Sequence, residues 1–249
     1  MRRRTVIAAA LALLGVTAAT AHASLQATFD VGARLIQQPV SRPWEVDLLV
    51  GGKVEAAGEE VPATTNLSFA FPRASVNTAA IAGVCPSIRP GVFLRATVDV
   101  CPAKSKIGSG TAHVRARGDT IEAKITLYRG PGTDKNFKLI VKGEAGAPLP
   151  VSAAFQGTVR KVNDAKYGYR VNLPIIPIKL SAGETVRILD FSADVGGHRN
   201  VGGRRVAFLE APRKCPPGGF PFTMTWSFEG GRKLTDSRRI DCVIRAINP

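Results

Sequence analysis

Phe220, Phe222, Met224, Trp226 and Phe228 take every second position of one run, with Thr223, Thr225 and Ser227 between them. A period of two belongs to an extended strand, whose successive side chains face opposite ways. An almost wholly aromatic face of this kind predicts a strand anchoring a core. Glu229-Gly230-Gly231-Arg232 follows as a turn in which glycine supplies positive φ, and residues 219–244 read as a hairpin. Ile121, Ala123, Ile125 and Leu127 alternate in the same way with Glu122, Lys124, Thr126 and Tyr128.

Further strands are expected at 25–35, 44–50, 66–71, 92–100, 110–117, 137–142, 151–162, 167–173, 185–195 and 204–209. Gly and Pro punctuate the chain about every eight to twelve residues, the spacing of strand breaks. Asn163-Asp164-Ala165-Lys166 reads as another hairpin turn. No amphipathic helix is found; residues 74–83 allow one short helical turn. Many short strands with such spacing predict an all-β fold, an antiparallel β-sandwich with an Ig-like arrangement or else a β-barrel. Residues 50–65, with two adjacent glycines and Pro62, read as a loop or weak boundary in an otherwise single domain spanning 24–249. Pro174 and Pro177 lack the N–H a ladder needs, which places LPIIPIKL on a sheet edge or outside the sheet.

The N-terminus has Arg2, Arg3 and Arg4, then an apolar stretch from Val6 to about Val16, then Ala21-His22-Ala23. This three-part order predicts an export signal over residues 1–23, with a mature chain beginning at Ser24. No later run has the ~20 apolar residues of a membrane-spanning helix, so no transmembrane anchor is expected. In an exported chain, Cys85, Cys101, Cys215 and Cys242 read as two disulfides. Three pairings are possible; nearest neighbours favour 85–101 and 215–242. The absence of C-x-x-C, with few histidines, argues against a zinc site.

The stretch CPAKSKIGSGTA, residues 101–112, tests for catalysis. Its lysines precede its glycines, and an alternating strand follows, so it is no phosphate-binding loop. Ser109 lacks the G-x-S-x-G nucleophile pattern. The stretch reads as structure: Pro102 halts pairing, Ser105 holds a turn, Ile107 enters the core, and Gly108 with Gly110 permits a bulge. FPRASVNTAAIAGVCP, this stretch and FLEAPRKCPPGGFPFTMTWSFEGGRKLTDSRRIDC together resemble exported β-rich proteins of high-GC actinobacteria. Those proteins share C-P-x-x-S-x-[IV]-G-x-G after a first cysteine, and a C-P-x-G-G cysteine opening a C-terminal aromatic hairpin. The resemblance implies location and cysteine pattern and carries no activity.

The chain holds 34 Lys and Arg against 19 Asp and Glu, a formal +15, and three of those arginines lie in the export segment. Such charge favours anionic surfaces. The doublets Arg204-Arg205, Arg213-Lys214, Arg232-Lys233 and Arg238-Arg239 are the candidate contacts. The partners expected are anionic cell-wall polymers or lipid head groups. Nucleic acid is not expected, because export separates the chain from it and the aromatics cluster in the core rather than among the cations.

The residues favour an exported, non-catalytic envelope protein without a cofactor or metal. Two alternatives stay open. A carbohydrate- or protein-binding module needs exposed aromatics, for which Tyr128, Tyr167 and Tyr169 are available. A hydrolase would use the loop bearing Asp190, Asp194 and His198, the best catalytic candidate in the chain. His113 reads as a surface histidine on a basic strand. Asp190 and Asp194 lack the dense spacing of a calcium loop.

Overall fold

The computed structural model describes residues 24–36, 44–89, 91–93, 101–147, 150–180, 183–211 and 215–241. The expected export segment 1–23, Arg213, Lys214 and Cys242 lie outside the described residues. The strands are β1 (Leu25–Ile36), β2 (Glu45–Ala56), β3 (Thr64–Phe71), β4 (Ser75–Val76), β5 (Gly91–Phe93), β6 (Lys106–Ala116), β7 (Asp119–Thr133) and β8 (Asn136–Ala145). They continue with β9 (Val151–Lys161), β10 (Tyr169–Pro174), β11 (Arg187–Val195), β12 (His198–Val201), β13 (Arg204–Ala207), β14 (Leu209–Glu210), β15 (Phe220–Phe228) and β16 (Lys233–Ile240). The all-β expectation holds. Fourteen strands form one antiparallel sheet, in the order β16-β15-β3-β10-β9-β8-β7-β6-β11-β2-β14-β4, with β1 on β2 and β5 on β9. Among the described residues, strands β12 and β13 pair with each other as a separate two-stranded sheet.

The sheet curls so that its inner face packs on itself, sandwich-fashion. Phe29 of β1 meets Phe69 of β3 edge-to-face at 5.6 Å, and Phe191 of β11 meets Trp226 of β15 at 5.7 Å. Among the described residues the ladder does not close into a barrel. Strands β1 and β16 lie side by side, but side chains join them: Asp236 accepts from the Phe29 amide at 3.0 Å, and Arg238 Nε donates to the Phe29 carbonyl at 2.8 Å.

The aromatic run behaves as its period demands. Phe222, Met224, Trp226 and Phe228 are all buried in β15, and the turn into β16 has positive φ at Gly230 and Gly231. One expectation fails at Gly51-Gly52. Strand β2 runs straight through the pair to Ala56, so residues 50–56 are ladder, not loop. A Cβ on Gly52 would lie 2.9 Å from Trp226 Cζ2 and 3.1 Å from Met224 Sδ. Glycine is there to admit the aromatics of the facing strand, not to break this one.

The cysteine stretch is structural. Cys85 and Cys101 are bonded, with Cα atoms 4.4 Å apart. Cys215 is disulfide-bonded as well; its expected partner, Cys242, is outside the described residues. Ser105 Oγ donates to the Pro102 carbonyl at 2.6 Å, and Ile107 is buried. The register slips between Lys106 and Gly108, as a bulge requires. A Cβ on Gly110 would collide with the Ser192 carbonyl oxygen of β11, so close strand approach fixes that glycine.

Pro174 ends β10 beyond the last residue paired to β9, and the chain then leaves the sheet. β10 and β11 are separated by four strands, and residues 175–180 and 183–186 cross the end of the core between them. Ile175 donates to the Thr65 carbonyl, and Val186 to that of Ile178. Ile178 packs with the buried group around Phe155, Leu173 and Ile175, while Leu180 joins Ala116, Ile121 and Val151.

Candidate functional site: an apolar cavity within the sheet

The inner face is not filled evenly. Phe29, Phe69, Phe191, Phe222, Trp226 and Phe228 crowd together on β1, β3, β11 and β15. On β6 to β9 many inward positions are small: Ala112 and Val114 on β6, Ala123 on β7, Gly143 and Ala145 on β8, Val151 and Ala153 on β9. Strand spacing is fixed by the backbone ladder, so short side chains facing one another leave space between them. The result is a cavity of about 260 Å³. The segment Ile176-Pro177-Ile178 lines it too, with Ile176 partly open to solvent.

Among the described residues that line this space, Thr64 alone carries a polar side chain. A water molecule needs two to four polar partners to reside in a cavity, whereas an engineered apolar cavity of roughly 150 Å³ stays dry and takes up benzene. Wall atoms that face empty space forfeit their dispersion contacts, which favours filling it with hydrocarbon. Gly143 is an open position: a Cβ built there meets nothing within 4 Å.

The charged residues singled out from the sequence do not gather. Asp190 sits opposite His113 in the β11–β6 ladder, and its Oδ1 lies 2.7 Å from His113 Nδ1. Glu122 on β7 stands 3.9 Å from the other ring nitrogen. The hydrogen bond that His113 donates to Asp190, reinforced by the carboxylate's charge, raises His113 above the ordinary histidine value.

His198 instead belongs to the β12–β13 hairpin, beyond Gly196-Gly197. Its Nδ1 is 3.1 Å from Glu45 Oε1 and 2.9 Å from Arg205 Nη2. Arg205 grips Glu45 with two bonds, Nε to Oε2 at 2.6 Å and Nη2 to Oε1 at 2.9 Å. Glu45 is only 1% exposed. Asp194 lies near Asp47, and burial followed by the charges of Asp194 and Glu45 pushes the Asp47 carboxyl above its usual range. The proposed Asp190/Asp194/His198 loop is thus two separate arrangements, His113 with Asp190 and His198 with Glu45. Among the described residues, no serine or threonine hydroxyl hydrogen-bonds either histidine. No cluster of three His, Cys, Asp or Glu able to hold a metal occurs among them either.

The basic doublets are largely engaged within the molecule. Arg205 holds Glu45, Arg238 holds Asp236 and the Phe29 carbonyl, and Arg239 donates to the Gly218 carbonyl. Arg232 stands 3.6 Å from Glu59. Arg204 and Lys233 are exposed. Of the tyrosines, Tyr169 is buried and stacked on Phe71 at 5.2 Å, and Tyr128 and Tyr167 are half-buried. None of the three stands fully exposed as a sugar-stacking platform would.

Sequence reading missed Glu45, Asp47 and the cavity. The alternation at β6 to β9 carried a signal for the last, since its inward positions are small. Comparison with protein-family models, with curated proteins and with solved structures returns no match for this chain. No helix among the described residues is long and apolar enough to cross a membrane.

Proposed function

We propose that this is an exported, non-catalytic protein of the cell envelope that holds an apolar chain, such as a fatty-acyl or isoprenoid segment, inside its sheet. The observation that carries the reading is the cavity of about 260 Å³, lined by hydrocarbon side chains contributed by many strands. Removing apolar surface from water at about 25 cal/mol per Å² favours filling it with hydrocarbon. The disulfide between Cys85 and Cys101 supports an oxidising location. The positive charge supports residence near anionic wall polymers or lipid head groups. Exposed Arg204 and Lys233 are better placed for such contacts than the doublet residues already engaged. Attraction of this kind is screened over about 8 Å at physiological salt, so retention on envelope fractions weakens as salt is added.

The reading is tested by extracting the purified protein with organic solvent and analysing the extract by mass spectrometry, alongside uptake of the fluorescent apolar probe N-phenylnaphthylamine. A co-purifying hydrocarbon-chain compound, or saturable uptake of the probe, is expected. An empty extract together with no probe uptake overturns the reading.

A further inference from the structure

Thr64 Oγ1 and Trp226 Nε1 are among the buried polar atoms without a hydrogen-bond partner among the described residues. They differ in place. Trp226 packs against Phe191 and over Gly52, and does not line the cavity. Thr64 does line it, and is 2% exposed.

Thr64 reaches the inner face through a local irregularity. Leu67, Phe69 and Phe71 line the cavity, so simple alternation along β3 sends Thr65 inward and Thr64 outward. The β15–β3 register slips here: Ser227 pairs with Asn66 and Phe228 pairs with Thr64, leaving Thr65 as the extra residue. Thr65 Oγ1 donates to the Ser227 carbonyl at 3.2 Å. A bulge re-aims the side chains beside it, and here it turns a hydroxyl into a hydrocarbon wall. An orphaned buried hydroxyl is costly, and native proteins contain few of them. Apolar ligand sites commonly carry a small number of placed polar groups that fix orientation.

We infer that Thr64 donates a hydrogen bond to a single uncharged oxygen of the bound molecule, which makes the ligand a neutral lipid bearing an ester, ketone or alcohol. Thr64 lies at the end of the cavity crossed by residues 175–178, since the Ile175 amide donates to the Thr65 carbonyl. The oxygen therefore sits beneath that segment and the hydrocarbon runs inward. No Lys, Arg or His is among the described lining residues, so an ionised carboxylate would be desolvated without a counter-charge. The inference rests on the apolar-chain reading above.

The test displaces N-phenylnaphthylamine with dodecane, dodecanol, methyl dodecanoate and dodecanoate, the last well above the carboxylate pKa range. Wild-type protein is expected to bind the alcohol and the ester more tightly than the alkane, and the ionised acid most weakly. Thr64→Val should weaken the alcohol and the ester by about threefold to tenfold while leaving dodecane unchanged. Thr64→Ser should restore them. Equal affinity of wild type for dodecane and dodecanol, an equal effect of Thr64→Val on both, or ionised dodecanoate binding as tightly as its ester each overturns the inference. The wild-type series decides even if the valine variant does not fold. Failure of every probe and competitor to bind defeats the cavity reading itself, whereas dodecane binding without discrimination defeats only the role of Thr64.

Discussion

Phe29 and Asp236 lie 207 positions apart in sequence, yet the amide of the first donates to the carboxylate of the second at 3.0 Å. Arg238 completes the exchange by donating to the Phe29 carbonyl and pairing with Asp236 at 3.0 Å. Two side chains thus perform at the β1–β16 seam what two backbone groups do elsewhere in the sheet. Asp236→Ala leaves the amide of a fully buried residue without its acceptor. It should lower stability by about 1–2 kcal/mol, since the carboxylate is itself partly exposed. Urea unfolding of the variant checks this, and an unchanged midpoint would show that the seam needs no clamp.

The hairpin carrying His198 is held to the main sheet by a buried carboxylate. Arg205→Met removes the bidentate partner of Glu45 and leaves that charge in a site almost closed to water. A loss of about 3 kcal/mol is expected, the lower end for a broken buried pair because Arg205 is itself about one-third exposed. The double change Arg205→Met with Glu45→Leu should recover part of it, a comparison that denaturant melts resolve.

His113 gives a pH signature. Its folded-state pKa is raised above 6.5 by Asp190. The pair's contribution is therefore complete below that ordinary value and fades as pH rises through the folded-state pKa. Titration of the imidazole resonances by NMR should show His113 above 6.5, and Asp190→Asn should move it down. Identical titration curves in the two proteins would mean the hydrogen bond does not form in solution.

The Cys85–Cys101 bond closes a separation of 16 residues. In the chain-entropy view such a loop is worth about 3 kcal/mol. Reduction should shift the unfolding midpoint accordingly, and Cys85→Ala/Cys101→Ala in non-reducing buffer should reproduce that part of the loss.

What the sequence disclosed, and what it hid, follows from the range of each interaction. The β15 face, the Ser105 turn, the bulge after Lys106 and the 85–101 bridge depend on residues close in the chain, and all were readable. Gly51-Gly52 was misread because its reason lies on another strand, in Trp226 and Met224. The Asp190–His113 pair needs the β11–β6 register, and Glu45–Arg205 spans 160 positions. A hydrophobic pattern fixes which face is buried; it does not say what stands opposite. The cavity is a shortfall of volume summed over several strands, so no single segment announces it. Thr64 depends on a one-residue slip against β15 that alternation alone would place wrongly.

The central claim is that the space inside the sheet is a binding site. Titration of N-phenylnaphthylamine into wild-type protein and into Gly143→Leu tests it most directly. A Cβ at position 143 meets open space, so a leucine there projects into the cavity. Saturable binding in the wild type, its loss in the variant and a higher melting temperature for the variant are the predicted results. Equal binding by both proteins, or binding by neither, would contradict the claim.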